Sequence, residues 1–280
     1  MLHKTIRIKT DAPGPGAELT TYLLSKSPEI DGAPKPLILM CPGGGYAYTS
    51  DREAEPIALC FNSMGYHAAV LRYSCAPAKF PTAVSEAALA FALIRKNAKK
   101  WNVDTSRIFI QGCSSGGHLA FSYAVFYAEE ELLKLTGLTA AEARPAGVIL
   151  SYPVITSGKY AHRGSFEVLT GKPYEEAKKD PLFKKLSLET QVKADTPPVF
   201  VWHTWPDGCV PVENTLLLLD ALAKKKVSAE AHIFPVGEHG LGLCNEVTMT
   251  PGEHYGIQPE CEQWIRLAGE WLKRQCGKGK

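Results

Sequence analysis

Short apolar runs alternate with longer segments of helical periodicity, and this alternation constrains the fold more than any other feature of the chain. The clearest helical segment, residues 82–99, follows Pro81 and repeats apolar residues on one face. The runs that have the length and composition of buried strands are residues 37–41, 68–73, 108–112, 147–152, 199–203 and 229–235. Strands that alternate with helices form a parallel sheet with right-handed crossovers. We therefore predict an α/β fold with helices on both faces of a mostly parallel sheet.

The ends of this pattern complete the predicted architecture. Residues 4–8 and 18–24 alternate apolar and polar side chains, which predicts a half-exposed hairpin and an antiparallel edge to the sheet. Further helices are predicted at residues 116–127, 214–225 and 260–274.

One segment, residues 155–196, breaks the alternation. It is rich in Lys, Gly and Glu and is too long for an ordinary loop. Because it leaves a strand end on the side where α/β sites lie, we predict a small cap over the site. A plain surface excursion with one or two short helices is the alternative. The cap would carry Tyr160, Phe166, Tyr174 and Phe183 on a single domain of residues 1–280.

Composition narrows the classes of partner and the compartment. The 31 Lys and Arg residues against 29 Asp and Glu give a net charge of +2, too weak to favour nucleic acid. The first residues lack the apolar region of a signal peptide, and no run approaches the 18 apolar residues of a membrane span. None of the eight cysteines forms a C-x-x-C pair, which favours free thiols over disulfides or a zinc site. We expect a cytoplasmic protein without membrane contact.

The most informative motif is the G-x-S-x-G pattern of residues 112–116, which directly follows an apolar strand and precedes a predicted amphipathic helix. A serine on such a sharp turn exposes its hydroxyl above the sheet, and only very small neighbours avoid collision there. This predicts Ser114 as a nucleophile. Ser115 is a weaker alternative because its own frame lacks the leading glycine, and its backbone N–H is expected to contribute to an oxyanion hole.

A second glycine-rich turn, residues 41–46, follows the first apolar strand of the set. Three consecutive glycines can direct N–H groups to one point without side-chain obstruction, as stabilising an oxyanion requires. The alternatives are a glycine turn without a ligand and a phosphate-binding loop. No Lys-Ser/Thr follows and no G-x-G-x-x-G frame fits, so nucleotide binding is not favoured.

A serine hydroxyl needs a base to take its proton, and the base needs an acid to orient it. In this fold class the chain order is Ser, Asp or Glu, then His. Asp207 follows a late strand and is the predicted acid, with a simple turn residue or Glu213 as alternatives. His239 follows the last strand and is the predicted base, with His254 as the alternative. The remaining histidines considered are assigned structural roles: His67, His118, His162, His203 and His232.

These motifs resemble the α/β-hydrolase superfamily, and within it the acetyl esterase/lipase branch related to hormone-sensitive lipase. The sequence is similar to small bacterial enzymes labelled as xylan acetylesterases. The resemblance spans about residues 36–245. It is carried by residues 41–46, 52–58, 65–67, 71–74 and 112–119 and by the loops around Asp207 and His239.

The resemblance implies a short-acyl carboxylesterase without metal or cofactor, acting on a small-molecule ester such as an acetylated xylo-oligosaccharide. It implies Ser114, Asp207 and His239 as the triad. It assigns the oxyanion donors to the amides of Gly43, Gly44 and Ser115. Two departures bear on the shape of the acyl pocket. Pro42 stands where lipase relatives carry His, and Cys113 and Ser115 stand where an aromatic residue and an alanine are more usual.

Two other functions are compatible with these motifs. A peptidase of the prolyl-oligopeptidase type shares the fold and triad, but the chain has no propeller-sized N-terminal domain. A non-catalytic binding module on a hydrolase fold is disfavoured because all three triad residue types are present. The sequence leaves open whether the chain forms a homodimer.

Overall fold

One eight-stranded sheet lies at the centre of the computed structural model, which describes residues 1–10, 16–27, 29–30, 32–253 and 255–277. Within those ranges the strand order is β1-β2-β4-β3-β5-β6-β7-β8. The strands are β1 Leu2–Ile8, β2 Ala17–Leu23, β3 Lys35–Cys41, β4 His67–Arg72, β5 Val103–Cys113, β6 Val148–Ser151, β7 Val199–Thr204 and β8 Ala229–Phe234.

The sheet is mixed, as predicted. β1 pairs with β2, and β2 with β4, in antiparallel register, and the other neighbours are parallel. The two strands of the leading hairpin differ in burial: β1 is mostly exposed at the sheet edge, whereas β2 is mostly buried. The inner parallel strands β3, β4, β6 and β7 are almost wholly buried, because helices cover both of their faces, whereas β8 at the other edge is only partly buried.

Helices pack against both faces of the sheet. One buried cluster combines side chains of α2, α3 and α9, and the other combines those of α1 and α11. The helices are α1 Glu55–Ser63, α2 Thr82–Trp101, α3 Ser115–Phe126, α4 Glu130–Thr136, α5 Ala140–Ala143, α6 Arg163–Thr170, α7 Tyr174–Ala177, α8 Pro181–Lys185, α9 Glu213–Lys224, α10 Pro259–Glu262 and α11 Trp264–Gly277. None of them, in the ranges described, is long and apolar enough to cross a membrane.

The helix after the G-x-S-x-G turn differs from its prediction. Every residue of α3 is buried, so the helix is not amphipathic. It is enclosed because α2 packs against it and the β6–β7 connection covers it: Phe91 contacts Tyr123, and His118 contacts Phe166. A helix that is buried all round need not show an apolar stripe.

The connection between β6 and β7 contains α6, α7, α8 and a 3₁₀ turn at Leu188–Gln191. Of its four predicted aromatic residues, three pack on one another. Phe183 lies between Phe166 and Tyr174, with ring centroids 5.4 and 5.2 Å away. The ring of Phe166 also lies 5.4 Å from that of His118 on α3. These side chains therefore form a small core that fixes the connection on α3.

Candidate active site

Ser114 occupies the sharp turn between β5 and α3. Its backbone has φ 54° and ψ −123°, a region that non-glycine residues rarely adopt. Two neighbouring elements fix the turn: Ser114 N–H donates to the carbonyl of Ser151, and its own carbonyl accepts from the amides of Val154 and His118. The turn thus holds the Ser114 side chain above the carboxyl ends of the parallel strands, as the sequence predicts.

The side chains of Ser114, His239 and Asp207 form one hydrogen-bonded chain. Ser114 Oγ lies 2.8 Å from His239 Nε2, and His239 Nδ1 lies 2.7 Å from Asp207 Oδ2. Because a carboxylate accepts the Nδ1 proton, Nε2 is left with a lone pair that faces the serine hydroxyl. The arrangement can remove the proton from Ser114 as its oxygen attacks an electrophile.

Asp207 is held as a charged acceptor. Burial by itself raises the pKa of this carboxyl, but hydrogen bonds from His203 and His239, the charge of His239 and the amide of Val210 lower the pKa well below its usual range. Its Oδ1 accepts from the amides of Cys209 and Val210, at 2.9 and 2.8 Å. Asp207 therefore stays ionised and keeps the His239 ring in one orientation.

His203 takes part in this site, although the sequence assigned it a structural role. Its Nε2–H donates to Val210 O at 2.9 Å and lies 3.2 Å from Asp207 Oδ2, while Nδ1 accepts from the Thr215 hydroxyl at 2.7 Å. The only signal for this role in the sequence is that His203 lies at the end of a predicted strand, four residues before the predicted acid Asp207.

The glycine turn after β3 lies directly beside Ser114. A Cβ atom on Gly43 would lie 2.9 Å from Ser114 Cβ, so only glycine fits. The expectation that Gly43 is an oxyanion donor disagrees with this geometry, because its N–H already donates to Glu53 Oε2 at 2.7 Å. The amides of Gly44 and Ser115 have no hydrogen-bond partner in the described part of the chain.

Glu53 is a buried carboxylate that sequence reasoning missed. Besides the Gly43 amide, it accepts from the Tyr152 hydroxyl at 2.8 Å, and the same hydroxyl accepts from Gly242 N at 3.0 Å. The Tyr152 ring packs edge-on against His239, with centroids 5.1 Å apart. Glu53 thus connects the glycine turn to the loop that carries the histidine.

The alternative site residues lie elsewhere. Ser115 is fully buried and is not among the residues that line the cavity described below. Glu213 begins α9 and makes no hydrogen bond to His239. His254 lies outside the described residues. In the ranges that the structure describes, His, Cys, Asp and Glu side chains form no cluster of three or more that could hold a metal ion.

A cavity of about 360 Å³ opens over Ser114, and we call it the Ser114 cavity. No aliphatic side chain is among its lining residues in the described chain. They are Gly44, Gly45, Tyr48, Ser50, Arg52, Glu53, Ser114, His162, Cys209, His239, Gly240 and Tyr255. The lining therefore consists of glycines and of polar and aromatic residues, which can hydrogen-bond a hydroxylated ligand.

Known proteins resemble this chain over most of its length. It is 39% identical over 228 residues to the endo-1,4-beta-xylanase B of Butyrivibrio fibrisolvens, and 29% identical over 241 residues to an acetylxylan esterase of Xylanibacter ruminicola. The matches cover 77% and 84% of this chain but only 34% and 45% of those proteins. The chain thus spans less than half the length of either relative.

A solved structure matches the whole fold. It is an acetyl ester-xyloside bifunctional hydrolase from Caldicellulosiruptor lactoaceticus, with 35% identity, a TM-score of 0.81 and coverage of 97% of this chain and 96% of that one. The model of the BD-FAE family matches residues 26–222, more than half of the chain. These matches confirm the predicted fold class and the resemblance found in the sequence. The chain has the α/β-hydrolase fold and belongs to the BD-FAE family.

Proposed function

We propose that the protein is a serine carboxylesterase that removes short acyl groups, acetyl above all, from hydroxylated alcohols such as xylo-oligosaccharides. The observation that carries the proposal is the hydrogen-bonded chain Ser114–His239–Asp207 at the base of the Ser114 cavity, beside two amide N–H groups that have no hydrogen-bond partner among the described residues. The curated relatives, a xylanase and an acetylxylan esterase, support the choice of substrate class.

The proposed mechanism is a two-step acyl transfer. His239 takes the proton of Ser114 as the hydroxyl attacks the ester carbonyl, and the amides of Gly44 and Ser115 hold the oxyanion. The alcohol then leaves with the proton from His239. Water attacks the acyl-enzyme with His239 as base, and Ser114 is released with the proton. Asp207 orients the imidazole and stabilises its charged form throughout.

The cavity wall favours a short acyl group and a polar alcohol. A long acyl chain gains free energy by burial against apolar side chains, at about 0.8 kcal/mol per CH₂. The Ser114 cavity offers no aliphatic side chain for such contacts in the described residues. We also propose that residues 155–196 act as a cap, since this segment places His162 in the cavity wall.

The test is a series of p-nitrophenyl esters from acetate to octanoate, with Ser114→Ala as the control. We expect the highest kcat/KM with acetate, a steep fall with chain length, and a kcat lowered by about 10³-fold or more in Ser114→Ala, because triad members act as a unit. Better turnover of octanoate, or near-normal turnover in Ser114→Ala, would overturn the proposal. Cleavage of dipeptide anilides without ester cleavage would indicate a peptidase instead.

A further inference from the structure

His162 brings an imidazole from the β6–β7 connection into the wall of the Ser114 cavity. It is the N-cap residue of α6 and is partly buried. It shares the cavity with Ser114 and His239, although it lies far from both in sequence order. The mechanism described above does not use it.

Nδ1 of the His162 ring is hydrogen-bonded within the protein, whereas Nε2 has no partner among the described residues. Nδ1 accepts from the backbone N–H of Ser165 at 3.3 Å and lies 2.8 Å from the hydroxyl of the same residue. Because Nδ1 accepts, the proton of the uncharged ring is on Nε2. Nε2 has no hydrogen-bond partner in the described chain and is not among its buried unpartnered atoms, so this N–H is accessible on a residue that lines the cavity.

The surroundings keep this ring a neutral donor. Burial is the main cause that lowers the pKa of His162 from its ordinary value of 6.5, and the charge of His239 lowers it further, while Asp207 opposes the shift. A neutral imidazole that accepts at Nδ1 presents one N–H, which suits an uncharged oxygen acceptor.

His239 also indicates which half of the substrate lies near His162. The leaving alcohol oxygen must lie within hydrogen-bond reach of His239 Nε2 to receive its proton. The acyl oxygen instead faces the amides of Gly44 and Ser115. Because His162 and His239 line the same cavity, we place His162 beside the alcohol half.

We propose that His162 is a specificity residue whose Nε2–H binds a hydroxyl oxygen next to the ester on the alcohol half of the substrate. This inference rests on the proposed esterase function and deepens it: the preferred alcohol is a vicinal diol or sugar rather than a simple alcohol. The His162 imidazole, which belongs to the proposed cap of residues 155–196, selects the substrate. The hydrolytic step itself does not require this imidazole.

Two substitutions separate the donor from the N-cap. In His162→Asn, Oδ1 takes the place of Nδ1 and still caps α6, because Asn is among the best N-cap residues, but no donor reaches the position of Nε2. In His162→Gln, the longer side chain places an N–H near the position of Nε2 and gives up the cap. Cyclohexyl acetate and 2-hydroxycyclohexyl acetate differ by one hydroxyl beside the ester and serve as paired substrates.

We expect the wild-type protein to prefer the hydroxylated ester in kcat/KM, and His162→Asn to lose about 5- to 10-fold of that preference, the value of one neutral hydrogen bond. His162→Gln should recover part of it, and any change in p-nitrophenyl acetate hydrolysis should be smaller than the change on the hydroxylated ester, because p-nitrophenyl acetate lacks the neighbouring hydroxyl. An unchanged preference in His162→Asn, or an equal fall on all three esters, would overturn the inference while leaving the esterase function intact. Absence of ester cleavage in the wild-type protein would instead refute the proposed function.

Discussion

The conformation of Ser114 depends on glycines whose Cβ positions are occupied by backbone. A Cβ atom on Gly112 would lie 2.1 Å from Gly116 O, and one on Gly116 would lie 2.0 Å from Cys41 O. Neither oxygen belongs to a flexible side chain that could move aside. The sequence predicts the need for very small residues in this turn, but the carbonyl that Gly116 meets belongs to the distant strand β3 and is known only from the fold.

Gly116→Ala should therefore destabilise the protein by about 3 kcal/mol or more, since the added methyl group meets two carbonyl groups of the β3 end. Urea unfolding at neutral pH measures the effect, with Gly32→Ala as the control, because no described residue other than its chain neighbours has an atom within 4 Å of a Cβ at that position. Equal stability of the two variants would show that the turn can relax and that its packing is not the constraint.

Other residues of the site could not be predicted, because their roles arise only from tertiary contacts. Glu53 is one of the residues that carry the family resemblance, but nothing in its neighbours indicates that its carboxylate is buried against Gly43 and Tyr152. His162 lies in a segment without regular periodicity and reaches the cavity only because α6 packs on α3. The Gly43 prediction disagrees with the structure for the same reason: residue type shows that an N–H can approach Ser114 but not which acceptor it meets first.

At the scale of elements, the predicted strands are all present, with bounds that differ by a few residues. Strong apolar runs at a parallel sheet centre are buried on both faces, so local composition is enough to predict them. α1 was not predicted, since nine residues are too few for the periodicity to be distinct. The last helix was predicted as continuous, but the chain forms α10 and α11, which are separated at Gln263.

Loops that follow three different strands are connected through Glu53, and substitution of this residue tests its contribution to stability and activity. Glu53→Gln keeps the shape but offers one acceptor oxygen where Gly43 N–H and Tyr152 O–H both need one. Leaving a buried donor unpaired costs about 1–3 kcal/mol. We expect a stability loss of about 2 kcal/mol and a fall in kcat of about tenfold, with a smaller change in KM, because the glycine turn and His239 lose their common support.

A double-mutant cycle with Tyr152→Phe distinguishes a coupled network from separate contacts. Tyr152→Phe keeps the ring against His239 and removes the hydroxyl that links Glu53 to Gly242. If the network acts as a unit, the double variant should lose less stability than the two single losses added together. Simple additivity would mean that Glu53 and Tyr152 act on the site independently.

At the scale of the whole molecule, His118 joins parts that are distant in sequence. It lies on α3, its Nδ1 accepts from the Tyr46 hydroxyl at 2.8 Å, and its Nε2–H donates to Leu186 O in the β6–β7 connection at 2.9 Å. The ring is almost completely buried. The glycine turn, α3 and the β6–β7 connection thus share one uncharged imidazole, and burial opposes placing a charge on it.

This arrangement makes stability depend on pH. Burial is the main cause that lowers the pKa of His118 from 6.5 to about 4, so between these values the unfolded chain binds a proton that the folded chain does not. Stability conferred by His118 is thus fully present above pH 6.5 and is lost as the pH falls towards 4, by about 3 kcal/mol in all.

In His118→Gln the amide can still accept from Tyr46 and donate to Leu186, but it does not titrate. Burial also lowers the pKa of His67 and raises that of Glu86. Both groups are present in the wild-type protein and in His118→Gln, so their contributions cancel in the difference in unfolding free energy. Urea unfolding at pH 7, 5.5 and 4.5 should show the wild-type advantage over His118→Gln shrinking as the pH falls, whereas parallel curves would mean that the His118 ring becomes charged without loss of its contacts.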